Sequence, residues 1–199
     1  AANPKNQDVY YLLGRELAAG GDKEGARKRF EEALALNPDD ARAHNELGEL
    51  LSEAGDKEGA MRHYEAALRI APQFGYVLYK MGKLLAEQGR QEEAEKRFQE
   101  AINLDPDNQD LHYLMGRELV ARGKLDEART FFEDALRMNP RDARSHNDLG
   151  MLIGAQDPET ALKHFETALD VAPNFTLALN NWGNLLLELH EVIPRDDLR

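Results

Sequence analysis

Three residue pairs could grip a ligand: Tyr11 with Arg15, Tyr79 with Lys83, and Tyr113 with Arg117, each an aromatic followed four residues later by a cation. On a helix this spacing puts both side chains on one face. There the ring offers contact area with a polar tip and the cation accepts a carboxylate. Asn45, Asn147, Asn180 and Asn184 fall on the same kind of face, together with Glu49, and an amide can pair with both the donors and the acceptors of a peptide backbone. Six histidines raise the question of a metal. His44, His112 and His146 occupy the position that Tyr10 and Leu78 hold elsewhere, so they are expected to pack, and His63 and His164 are again equivalent to each other. His190-Glu191 opens like a zinc-binding helix, but Pro194 stands where the second histidine belongs. No metal site and no cofactor are expected. There is no Gly-x-Ser-x-Gly, no phosphate-binding glycine loop and no Ser/His/Asp arrangement. Acidic clusters such as Glu31-Glu32, Glu92-Glu93 and Asp126-Glu127 read as solvated outer faces. No catalytic residue is assigned.

Composition narrows the partners. Lys and Arg number 25 against 37 Asp and Glu, a net charge of −12, which repels nucleic-acid phosphates and anionic lipid surfaces. No stretch reaches the roughly 18 apolar residues of a membrane span. Without cysteine there is no disulfide or thiolate chemistry, which leaves cytosol and periplasm open, with a soluble, cytoplasmic setting favoured. Hydrophobic residues at 42% and charged ones at 31% describe a folded chain rather than a disordered one.

The elements that position these residues are set by a period. Gly14, Gly48, Gly82, Gly116 and Gly150 are 34 residues apart, and Gly183 follows 33 later. Pro38, Pro72, Pro106, Pro140 and Pro173 keep the same beat, as do Ala26, Ala60, Ala94, Ala128 and Ala161, and an aromatic column of Phe30, Tyr64, Phe98, Phe132 and Phe165. A third column of Ala33, Ala67, Ala101, Ala135 and Ala168 completes the pattern. Tyr10, Leu13, Gly14 and Leu17 recur at helical spacing, as do Leu78, Met81, Gly82 and Leu85, so each repeat opens with a helix that presents an apolar stripe. Glycine inside a helix costs about 1 kcal/mol relative to alanine, so its recurrence signals a close helix approach. Gly20-Gly21, Gly55 and Gly89 supply left-handed caps to the first helices, and Asn-Pro or Asp-Pro pairs end the second ones.

These columns resemble the tetratricopeptide repeat (TPR). The resemblance implies an all-α, right-handed superhelix (solenoid) of antiparallel helix hairpins, here five repeats plus a C-terminal helix. The expected divisions are residues 1–6 as the tail of a preceding repeat, repeats at 7–40, 41–74, 75–108, 109–142 and 143–175 (one residue short), a first-helix-like cap at 176–190 and a tail at 191–199. A longer period is superimposed: Gln7 to Leu17 returns as Gln109 to Leu119, and Ala41-Arg42-Ala43-His44-Asn45 as Ala143-Arg144-Ser145-His146-Asn147, 102 residues on, which indicates a duplicated three-repeat block.

The resemblance also implies that the second stripe of the first helices lines a concave groove holding extended peptides. The candidates are Tyr11, Arg15, Asn45, Glu49, Tyr79, Lys83, Tyr113, Arg117, Asn147, Asn180 and Asn184. The Lys/Asn/Arg carboxylate clamp of chaperone-binding TPR domains is not matched: its positions carry Tyr11, Arg15, Glu46, Tyr76 and Lys80. The expected function is therefore a non-catalytic scaffold or adaptor for a protein or peptide with acidic residues. One alternative is the TPR region of a larger enzyme, glycosyltransferase-like, or of an assembly protein. Another is self-assembly into a homo-oligomer through the C-terminal helix, whose Leu179, Trp182 and Leu186 lack a following helix to pack on, unless Val192 and Ile193 fold back as a lid.

Overall fold

Polar caps start most of the helices. Asp22 accepts a hydrogen bond from the Gly25 amide at 2.9 Å, Asp56 from Gly59 at 2.8 Å, Asn108 from Leu111 at 3.0 Å and Asp157 from Thr160 at 3.1 Å. Each satisfies an amide that the first helical turn leaves without a partner. The computed structural model describes residues 4–192, with side chains for 7–190. Of the expected terminal segments at 1–6 and 191–199, residues 1–3 and 193–199 lie outside the described residues, as do the side chains of the proposed lid, whereas 4–6 begin the first helix and 191–192 end the last. Among those residues there are eleven helices and no strand.

The chain divides into two units. The first holds α1 (Pro4–Ala19), α2 (Lys23–Leu36), α3 (Ala41–Glu53), α4 (Lys57–Ile70), α5 (Gly75–Glu87) and α6 (Gln91–Leu104). The second holds α7 (Gln109–Ala121), α8 (Leu125–Met138), α9 (Ala143–Ile153), α10 (Pro158–Val171) and α11 (Thr176–Val192). Within each unit an odd-numbered helix packs on the even-numbered helix that follows, which makes a hairpin, and each even helix also touches the next odd one. Four of the hairpin turns place Gly21, Gly55, Gly89 and Gly123 at φ between 73° and 86°, where a side chain would be strained. The turn after α9 has no such glycine, and there the missing residue of the fifth repeat falls. It is rebuilt with Asp157 as cap and Pro158 in the first turn.

The hairpins close on the glycine column. A Cβ built on Gly14 would stand 2.6 Å from the Phe30 ring; on Gly48 it would stand 2.5 Å from Tyr64, and on Gly82 and Gly116 it would stand 2.5 Å from Phe98 and Phe132. The ring from the second helix therefore rests on the bare backbone of the first. Ala26, Phe30 and Ala33, and their counterparts Ala128, Phe132 and Ala135, are fully buried. Each such ring contributes about 1.5–3 kcal/mol through burial. At Gly183 on α11, nothing among the described residues lies within 4 Å of the corresponding point.

The stripe expected to pack does so only in part. Gly14 is buried, but Leu13 is 40% exposed and Val9 and Leu12 lie open beside it. His112 packs as expected, buried with its ring 5.6 Å from that of Phe131.

Candidate functional site

In each unit the candidate stripe lies on the first helices of the hairpins, α1, α3 and α5 in one and α7, α9 and α11 in the other. Tyr11, Tyr79 and Tyr113 project from α1, α5 and α7, and each leans on the aromatic column: Tyr11 lies 5.9 Å from Phe30, Tyr79 5.8 Å from Phe98 and Tyr113 6.1 Å from Phe132, ring centre to ring centre. All three are under 9% exposed. Their rings thus serve the core first. Burial, followed by nearby carboxylates, raises the hydroxyl pKa of Tyr11 and Tyr113.

The cation over the ring is not the one four residues on. The Arg42 guanidinium stacks on Tyr11 and that of Arg144 on Tyr113, both at 4.6 Å from the centroid. Each arginine also reaches two carboxylates. Arg42 Nη2 donates to Asp8 at 2.8 Å and to Asp40 at 2.9 Å. Arg144 donates to Asp110 at 2.7 Å and to Asp142 at 3.0 Å. Gln7 and Gln109 donate to the same Asp40 and Asp142. The assembly is therefore built twice, 102 residues apart, as the duplicated block requires. Burial opposes the charge on Asp40, but hydrogen bonds from Arg42 and from the helix amides prevail and hold its carboxyl below the ordinary value.

Arg15, Lys83 and Arg117 are exposed, and Arg15 and Lys83 form no ion pair among the described residues. Arg117 stands 3.8 Å from Asp148. Arg15 acts in the same way on Glu46, the residue equivalent to Asp148, and burial raises the pKa of both acids. Glu49 is engaged by Lys80, whose ammonium also lies 5.0 Å from the Tyr76 ring centre. Asn45 is buried, and its Oδ1 has no hydrogen-bond partner. Its counterpart Asn147 is satisfied: it donates to Asp148 at 2.7 Å and accepts from Asn181 at 3.0 Å.

Asn180 and Asn184 lie exposed on α11. Asn184 and Asn181 border a cavity of about 270 Å³ between α9 and α11, floored by Phe165 and Leu185 and edged by Met151 and Glu188. Gly150, Gly154 and Ala155 also line it. A smaller cavity of about 100 Å³ lies between α3 and α5, where Glu49, Lys80 and Lys83 meet Tyr64. Tyr76 and Met151, on the same inner stripe, are 37% and 50% exposed.

The structure also separates the residues expected to self-associate. Leu179 and Leu186 are 43% and 40% exposed, whereas Trp182 is half-buried against the core of its unit, with an indole N–H that has no partner. Arg42, Arg144, Asp148, Glu46 and Asn181 are not among the candidate contact residues read from the sequence, where Arg42 and Arg144 enter only through the duplicated block and Glu46 only as an unmatched clamp position. Their recurrence at an offset of 102, or their position one residue beside a candidate asparagine, is the signal that marks them.

A solenoid of helix hairpins closed by a small-residue seam, with polar and aromatic side chains lining the first helices, defines a class of repeat protein. Tetratricopeptide-repeat family models match residues 11–73 and, in two overlapping stretches, 51–118 and 85–149, so the chain belongs to the tetratricopeptide-repeat family. Solved structures agree. A thermophilic TPR protein of Thermus thermophilus superposes with a TM-score of 0.74 at 22% identity, over 91% of this chain and 99% of that one. PilF of Pseudomonas aeruginosa gives 0.71 at 23% identity over 96% and 93%. YrrB, described as a TPR protein with an unusual peptide-binding site, gives 0.56 at 25% identity over 86% and 89%. No curated protein shows significant sequence similarity to the chain. The fold is all-α TPR, and the chain is in general terms a protein-interaction scaffold of a family that is generally non-catalytic. No helix among the described residues is long and apolar enough to cross a membrane.

Proposed function

We propose that the chain holds an extended segment of a partner protein against the inner faces of its first helices. The observation that carries this reading is the cavity between α9 and α11, sized for a side chain and bordered by the amides of Asn181 and Asn184 beside apolar Met151 and Leu185. Amides at the rim of an apolar pocket can fix a backbone while the pocket takes a side chain, which is the usual division of labour in a ligand site. Exposed Arg15 and Lys83 on the first helices of one unit, and Arg117 on those of the other, favour acidic residues in the ligand, and YrrB offers a precedent for peptide binding by this fold. Tyr11, Tyr79 and Tyr113 contribute by stiffening the face, buried Asn45 and Asn147 by supporting it from beneath, and Glu49 and Asn180 by lining it.

The test is selection of peptides from a random displayed library on the full chain, followed by affinity measurement on variants. Replacing Arg15, Lys83 and Arg117 by Ala should weaken the selected peptides and flatten the salt dependence of binding, and Asn184→Ala should weaken them at any salt. Affinity and salt slope unchanged in both variants refute the groove assignment.

A second reading rests on α11. The vacant seat at Gly183, beside exposed Leu179 and Leu186, is the same seat that an aromatic ring fills in the other repeats. Contiguous exposed apolar surface favours association, here of two copies through this helix. Light scattering that reports a monomer at high concentration removes this reading.

A further inference from the structure

Two histidine pairs lie on the packing side of the hairpins, away from the inner face. His44 on α3 and His63 on α4 approach Nδ1 to Nδ1 at 2.9 Å, and His146 on α9 and His164 on α10 do so at 2.8 Å. The ring centres are 5.1 Å apart in both pairs, with interplanar angles of 41° and 40°. In each pair the first ring is fixed from behind, because His44 Nε2 faces the Pro38 carbonyl at 3.1 Å and His146 Nε2 faces that of Pro140 at 3.0 Å. A carbonyl oxygen only accepts, so Nε2 of His44 and of His146 carries the proton and Nδ1 presents a lone pair. A histidine whose far nitrogen donates to a backbone carbonyl is in the tautomer and orientation that metal ligands adopt.

The separation is informative. With metal–nitrogen bonds of about 2.0–2.1 Å, two ligands at 90° lie about 2.9 Å apart, whereas tetrahedral ligands need about 3.3–3.4 Å. The observed spacing is that of an Nδ1–H···Nδ1 hydrogen bond in the free protein, and it equals the separation of neighbouring ligands in the square geometry of Cu2+ or Ni2+. We propose that His44 with His63, and His146 with His164, are two equivalent sites for Cu2+ or Ni2+, each ion tying together the two helices of one repeat. Binding moves the Nδ1 proton of His63 or His164 to its own Nε2, so both rings stay neutral and no proton is released.

Among the described residues no third His, Cys, Asp or Glu joins either pair as a ligand. Water completes each coordination sphere. The surrounding charges differ. Glu31 and Glu133 attract a cation at equivalent positions, each held by its own arginine, Arg27 at 2.9 Å and Arg129 at 2.8 Å. Arg62 bears on His63 alone, while its counterpart Lys163 is paired with Glu159 at 2.7 Å. The His146/His164 site therefore fills first.

CuCl2 titrated into the full chain at pH 7.5 in a non-coordinating buffer, followed by calorimetry, should show two equivalents. His164→Gln should leave one, and His63→Gln with His164→Gln should leave none, since single His112 and His190 remain as internal controls. Two equivalents retained by the double variant, or no binding to the native chain, overturns the proposal. A measurement on the native chain covers the case of a misfolded variant: substoichiometric Cu2+ should broaden the NMR signals of the four paired histidines before those of His112 and His190. Broadening led by His112 or His190 refutes the sites.

Discussion

The glycine column allows one substitution to be tried at three seats with different outcomes. In the second unit, a Cβ at Gly116 would lie 2.5 Å from Phe132 Cε1 and 2.7 Å from Cδ1, at Gly150 it would lie 2.9 Å from Phe165 Cε1, and at Gly183 it would meet nothing within 4 Å among the described residues. Exchange of glycine for alanine in a helix interior contributes about 1 kcal/mol of stability when nothing else changes. Overpacking a filled core costs about 1–3 kcal/mol, and Phe132 is fully buried with no free side on which to retreat. Gly116→Ala should therefore destabilise by up to about 2 kcal/mol. Gly150→Ala should be milder, because its contact is 0.4 Å longer (2.9 − 2.5). Gly183→Ala should stabilise by up to about 1 kcal/mol. Urea unfolding followed by circular dichroism and by Trp182 fluorescence, at micromolar chain, reads all three. A neutral or stabilising Gly116→Ala would show that the ring is not seated on the backbone. A Gly183→Ala as damaging as Gly116→Ala would show that the last seat is occupied in solution.

Two further outcomes follow from burial. Ala94 is fully enclosed in the third hairpin, so Ala94→Phe should destabilise by about 1–3 kcal/mol in the same urea assay, and no effect would misplace the hairpin seam. His63 and His164 have folded-state pKa values below the ordinary 6.5, so the unfolded chain binds more protons near that pH. Their contribution to stability should thus be complete above pH 6.5 and decline as pH falls below it; His63→Gln with His164→Gln should flatten that limb of a stability–pH curve, and an unchanged limb would refute the assignment.

Column spacing made the helices, the hairpin turns and the glycine seats legible, because a residue every 34 positions in the same environment leaves the same chemical type there. The inner face was legible only as a stripe. Four-residue spacing correctly put Tyr113 and Arg117 on one side of α7, but the arginine stacked on Tyr113 comes from Arg144, 31 residues further on, a relation between helices that periodicity along one helix does not encode. The same reason hid the tyrosines' burial, which depends on Phe30, Phe98 and Phe132 arriving from the second helices. His44 and His146 read as packing residues and His63 and His164 only as equivalents of each other, because their pairing depends on the cross-hairpin register, which brings together positions 19 and 18 apart.

The doubled latch of Arg42 and Arg144 bears on how a partner arrives. Each arginine is spent on two aspartates of its own unit, so at a distance these sites read as net acid rather than base. The whole chain carries −12, and salt screens that charge beyond about a Debye length, roughly 8 Å at physiological salt, so an acidic segment is neither drawn in from afar nor repelled until it is close. Recognition by Arg15, Lys83 and Arg117 is then a short-range event that follows encounter instead of guiding it. Added salt weakens the final grip yet eases the approach, so association and dissociation rates should both rise with ionic strength. Capture by such a face discriminates by fit, and polyanions, which bring many like charges within screening range of the acidic surface at once, are disfavoured.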